Sequence, residues 1–240
     1  MKEIFLDNYS LLTHIVESLA AGMGLLCYNR YKHSATRYFI IFLVYVAVCD
    51  FIGAYSILID QNRGLSFLRG TVFEKNYWWY TLFWKIGAVL FFAYYYRKVI
   101  KSKRFKTVLK FSAYGFLTLS LFQIILKWES FFTGYFAIIS VLGAIIVLLC
   151  TCFYFIEILN TDKILSFYKS VNFYITSSIF IWWLILTPLV FFDIYGAYEV
   201  NSPFRDNEYL VLRRYIYLFA NLFLYLTFTF ALIWCRPEKN

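Results

Sequence analysis

Charge is scarce in this chain. Asp, Glu, Lys and Arg make up 15% of its 240 residues, against about a quarter in ordinary soluble domains, which excludes an average soluble globule. Histidine occurs only at His14 and His33, so a three-histidine zinc centre is excluded. No Gly-x-Ser-x-Gly elbow and no phosphate-binding glycine loop is present, which removes two common signatures of hydrolases and nucleotide enzymes. An enzymatic role is therefore not expected. The five cysteines all fall within or at the end of apolar blocks, where oxidation is disfavoured, so free thiols are expected. Cys150 and Cys152 are two residues apart and would point to different faces of a helix, which makes a poor metal pair. No metal and no cofactor is expected.

What the chain does contain is apolar. Hydrophobic residues reach 62%, aromatics 24% and the mean hydropathy is +0.64, divided into blocks that suit helices of roughly 20 residues crossing about 30 Å of hydrocarbon. Seven segments qualify: Tyr9 to Tyr28, Tyr38 to Ile59, Tyr77 to Tyr96, Phe111 to Leu126, Phe131 to Ile156, Val171 to Asp193, and Tyr215 to Cys235. The expected fold class is an all-α integral membrane protein, a seven-transmembrane helix bundle forming one domain over residues 1–240 with no soluble domain. The first block is expected to be retained rather than cleaved as a signal peptide, because His14 and Glu17 interrupt its apolar core.

The formal charge is +9, but the basic residues fall in short connections between apolar blocks, so the excess reads as topology and not as a nucleic-acid surface. With the N-terminus outside, fourteen Lys and Arg residues fall on the cytoplasmic side and eight on the outer side, which favours an outside N-terminus and a cytoplasmic C-terminus. The connection 97–110 carries Arg97, Lys98, Lys101, Lys103, Arg104, Lys106 and Lys110. It is expected to lie beside an anionic inner leaflet, which attracts about 1 kcal/mol per basic residue, or to dock a cytoplasmic or membrane protein partner. Tyr77-Trp78-Trp79-Tyr80 and Tyr94-Tyr95-Tyr96 bracket the third segment as interfacial aromatics. The longest connections, Asp60 to Asn76 and Ile194 to Arg214 with Pro203, fall on the outer side. The bias toward Ile, Phe, Tyr and Lys points to an AT-rich genome, and the expected location is a bacterial inner membrane.

Placing each segment by its midpoint brings Glu17, Asp50 and Lys85 near the bilayer centre. Each costs about 2.5–3.5 kcal/mol there, so they should face one another or a wet cavity. Ser10, Thr13, His14, Glu17, Ala21 and Gly24 recur at intervals of three and four along the first segment and form one stripe. Two carboxylates and one ammonium leave a surplus negative charge, to be neutralised by a shared proton, by His14 or by a bound cation. Glu17, Asp50, Lys85 and His14 are therefore the expected ligand or proton site. Asn221 and Tyr217, with Trp182 beside the expected kink at Pro188, form a second, smaller polar region.

Familiar seven-helix classes do not fit these residues. The last segment has no lysine for a retinal Schiff base, and Arg97 has no acidic residue before it as G-protein-coupled receptors would require. The repeated prolines of small sugar transporters are missing, since Pro188, Pro203 and Pro237 are the only three. Two functions stay open: a transporter- or receptor-like protein whose polar site couples to protons or a small cation, or a non-catalytic subunit of a larger envelope or signalling complex, docked through 97–110.

Overall fold

The computed structural model describes residues 8–60, 64–161, 166–193 and 207–237. Lys2, Arg63, Lys163, Pro203, Arg205 and Lys239, which enter the charge count and the outer-loop reading above, lie outside the described residues. Those described are helical, with no strand among them. In order they form α1 (Tyr9–Tyr31), α2 (Thr36–Gly53), α3 (Tyr55–Asp60), α4 (Tyr77–Trp79) continuing as a π-helix (Tyr80–Ile86) into α5 (Gly87–Val99), then α6 (Lys103–Leu126), α7 (Trp128–Thr133), α8 (Ala137–Leu159), α9 (Val171–Phe192) and α10 (Asn207–Trp234). Short 3-10 turns lie at Ser66–Leu68 and Phe167–Lys169.

Among the described residues, six helical runs are long and apolar enough to cross a membrane: Tyr9–Tyr31, Thr36–Ile59, Lys103–Leu126, Ala137–Leu159, Val171–Phe192 and Glu208–Trp234. The chain is a multi-pass membrane protein by this composition. The expected third segment is not among the six, because the π-helix interrupts it and leaves Gly87–Val99 as its longest α-helical stretch, of 13 residues.

Two segments begin earlier than their apolar blocks. The Ser102 side chain accepts a hydrogen bond from the Phe105 amide at 3.5 Å and so caps α6, which carries Lys103–Lys110 into the helix. The expected loop 97–110 is thus two helix ends joined across Ile100–Ser102. Likewise α10 starts at Asn207 and takes in Arg213 and Arg214, which the sequence placed in an outer loop. Ser170 caps α9 through the Phe173 amide at 3.2 Å.

The chain divides into two compact units, Met1–Val44 with Thr151–Asn240, and Tyr45–Cys150. In the first, α1 and α9 pack on α10. Gly24 lets α1 approach Ile40, whose Cγ2 lies 3.1 Å from where a Cβ would stand. Tyr31 donates to the carbonyls of Leu232 (3.1 Å) and Cys235 (2.8 Å), and Arg30 donates to those of Ile233 and Cys235. A cation and a phenol from α1 thereby satisfy the orphan carbonyls at the C-terminus of α10.

In the second unit α5 packs on α6, and α4 packs on α7. Aromatic edges dominate one end: Phe73 meets Trp78 at 5.5 Å and Phe132 at 5.7 Å, and Trp78 meets Trp79 at 5.5 Å. All five cysteines are free. Cys150 is buried and Cys152 exposed, as the 3.6-residue period requires of positions two apart.

Candidate functional site

In the first unit, α1 buries Thr13, Val16, Glu17, Ala20, Ala21 and Gly24 on one face, while Ile15, Leu19, Leu25 and Leu26 are exposed. The arrangement is the reverse of a soluble helix, since the polar and small residues face inward. Glu17 is 1% exposed and Thr13 9% exposed. One turn toward the N-terminus His14 is half-buried, with Nδ1 2.6 Å from the Ser10 carbonyl oxygen. A carbonyl oxygen only accepts, so Nδ1 is the donor in this contact.

In the second unit, α2 and the α4–π–α5 run are joined by a ladder of side chains onto backbone carbonyls. The Tyr45 hydroxyl donates to the Phe83 carbonyl (2.7 Å), the Trp79 indole donates to the Cys49 carbonyl (2.9 Å), and the Asn76 amide donates to the Gly53 carbonyl (2.7 Å) and the Ser56 hydroxyl (3.1 Å). The partners rise on one helix as they fall on the other, so the helices run antiparallel. Two of the acceptors mark irregular backbone: Phe83 lies in the π-helix, and Gly53 ends α2 before the short α3. A π-helix replaces i→i+4 bonds by i→i+5, and the Gly87 amide donates to the Leu82 carbonyl in that pattern.

The ladder also brings in the two ionisable residues of this unit. Asp50 follows Cys49, which faces Trp79, whereas Lys85 lies beyond Phe83, which faces Tyr45. Asp50 and Lys85 thus sit on the stretches of these two helices that the ladder joins. Cα–Cβ bonds tilt toward each helix's N-terminus, so in an antiparallel pair these two side chains lean toward one another. Both residues are half-buried. Lys85 places its ammonium 3.4 Å from the centre of the Tyr135 ring, a cation–π contact that holds the amine against an aromatic face.

The smaller polar region lies in the first unit. The Trp182 indole donates to Asn221 Oδ1 at 2.9 Å, linking α9 to α10. Trp182 and Tyr217 pack against the buried cluster of Leu186, Leu189 and Ala220, and Tyr217 also carries the Arg213 guanidinium 4.6 Å over its ring. Pro188 lies inside α9.

Sequence reasoning missed a neighbouring constellation. Asp193, 9% exposed, accepts a bond from Arg213 Nη2 at 2.9 Å, further bonds from its Nε, and one from the Tyr209 hydroxyl at 3.1 Å. Beside it, Leu189, Phe192, Glu208, Tyr209, Leu212 and Ile216 line an open groove of about 670 Å³. The signal was legible only by continuing the helical period of α10 back to Tyr209 and Arg213, which stand four apart and so share a face.

In the basic segment, Lys98, Lys101, Lys103, Arg104 and Lys110 are exposed and Arg97 and Lys106 half-buried. Among the described residues no three His, Cys, Asp or Glu side chains are grouped so as to hold a metal ion. Compared with protein-family models, with curated proteins and with solved structures, the chain matches none.

Proposed function

We propose that this multi-pass membrane protein is transporter- or receptor-like, and that Glu17, Asp50, Lys85 and His14 bind a small ligand or relay a proton or small cation. The reading takes residues 1–240 as one transmembrane domain with seven crossings, counting Tyr77–Val99 as one, an outside N-terminus and a cytoplasmic C-terminus. It places the protein in a bacterial inner membrane. Orientation rests on the Lys and Arg asymmetry.

The observation that carries the reading is Glu17. A carboxylate 1% exposed on a helix apolar enough to cross a membrane costs several kcal/mol unless protonated or compensated, and such residues mark substrate, ion or proton paths. Lys85 supports it, because a π-helix is a common device for re-aiming a functional side chain and Lys85 sits in one. His14 sits one turn from Glu17 on the same helix.

The test uses the full chain in vesicles holding a pH-sensitive dye, under imposed proton, sodium or potassium gradients. Wild type is expected to dissipate at least one gradient, and Glu17→Gln and Asp50→Asn to slow it at least tenfold while keeping the wild-type helix content and melting profile. Equal flux in wild type and Glu17→Gln, or no flux under any of the three gradients, sinks the proton- or cation-relay reading.

A further inference from the structure

The first two turns of α6 hold Lys103, Arg104, Lys106 and Lys110, with no acidic residue in the first turn. Cations there face the positive end of the helix macrodipole, which disfavours them. Among the described residues none of the four, nor Lys98, makes an ion pair; Lys98 and Lys110 instead lie over the rings of Tyr94 and Tyr114 at 5.4 and 5.9 Å. Charges gathered against their own helix field, with no internal counter-charge, call for an external anion.

What lies beyond them names the class of anion. Leu109, Phe116, Ser120 and Ile124 define the buried face of α6. The opposite face runs from Lys103, Arg104 and Lys110 through Phe111 (66% exposed) and Tyr114 (56%) to Phe122 (55%) and Ile125 (70%). That order is charge, then aromatic, then aliphatic, which is the order of headgroup, interface and acyl chain in one leaflet. Lys103 to Lys110 spans about 10 Å of helix, enough to cross a headgroup layer of roughly 5–8 Å. α6 is also the least enclosed candidate span, with 22% of its apolar window buried against 33–50% in the other five.

We propose that this outward face of α6 is a binding site for an anionic phospholipid, with its phosphate held by Lys103, Arg104 and Lys110 and by half-buried Lys106 at the edge of the face, and its chains laid along Phe111, Tyr114, Phe122 and Ile125. A soluble acidic protein would match the charges but not the apolar half of the same face. The site is independent of any role for Glu17, Asp50 or Lys85.

The experiment measures first-shell association of spin-labelled phosphatidylglycerol and phosphatidylcholine with the full chain in vesicles. The glycerol lipid should be preferred by on the order of fivefold, and the preference should fall toward one at about 1 M salt, where the screening length is about 3 Å. K103Q/R104Q/K106Q/K110Q should abolish it, K103R/K106R/K110R should retain it, and R69Q/K127Q, which removes basic charge elsewhere, should leave it intact. If the quadruple variant does not fold, the arginine set, the R69Q/K127Q control and the salt series decide. Equal association of both lipids with wild type, a preference insensitive to salt, equal loss in R69Q/K127Q, or displacement of the labelled lipid by soluble polyglutamate at physiological salt overturns the proposal.

Discussion

The Tyr45 hydroxyl donates a 2.7 Å hydrogen bond to the carbonyl of Phe83, within the π-wound stretch Tyr80–Ile86. Irregular winding leaves backbone groups short of their usual partners, and in hydrocarbon no water replaces them. The phenol gives this carbonyl a partner from a second helix. Close approach makes this contact available: a Cβ at Gly87 would stand 2.9 Å from the same hydroxyl oxygen.

Replacing Tyr45 by Phe should therefore destabilise the protein by about 1 kcal/mol, the net worth of one such bond. Thermal unfolding in a fixed lipid or detergent checks it. An unchanged midpoint would show that the π-helix stands without the phenol.

Two glycines in helices of the same unit should respond oppositely to alanine. A methyl at Gly53 would fall 2.7 Å from the Tyr80 hydroxyl oxygen and 2.8 Å from its Cζ, so Gly53→Ala should cost about 1–3 kcal/mol as overpacking. At Gly115 nothing lies within 4 Å, and Gly115→Ala should stabilise α6 by about 0.5–1 kcal/mol through reduced backbone entropy in the unfolded chain. Paired melting curves discriminate; matching shifts of one sign would refute the packing argument.

The ion pair between Asp193 and Arg213 should behave as a buried unit. Its carboxylate side chain is 4% exposed and its guanidinium 18%, so Arg213→Ala strands an enclosed charge and should cost about 3 kcal/mol. Adding Asp193→Asn to that variant should recover much of the loss. A double-mutant cycle measures the coupling, and additive losses would mean the two groups act separately.

The bond from Trp182 to Asn221 links α9 and α10. Trp182→Phe keeps most of the apolar bulk and removes the donor, so a loss of about 1 kcal/mol is expected, in the range of interhelical hydrogen bonds within membranes. Chemical or thermal unfolding of the variant beside Asn221→Leu tests it: the two should fall together, and a loss in only one would point to packing and not to the bond.

Much of the architecture was legible because the bilayer imposes a length. The starts of α1 at Tyr9 and α9 at Val171 and the ends of α3, α6 and α9 lie within one residue of the apolar blocks. The starts of α6 and α10 were not legible from hydropathy, since Ser102 and the segment from Asn207 extend polar residues into helices, and a helix outside hydrocarbon obeys capping and not apolarity.

The sequence by itself determined that this chain lies in membrane, that its ionisable residues inside spans are few, and that Glu17 shares a stripe with Thr13 and Gly24, because hydrophobicity and the 3.6-residue period are local properties. Tertiary contacts were needed to see the winding of Tyr80–Ile86, the pairing of α2 with that run, and the meeting of Asp193 with Arg213. Those depend on which carbonyl a distant tyrosine, tryptophan or asparagine reaches, and no spacing within one segment encodes a partner on another.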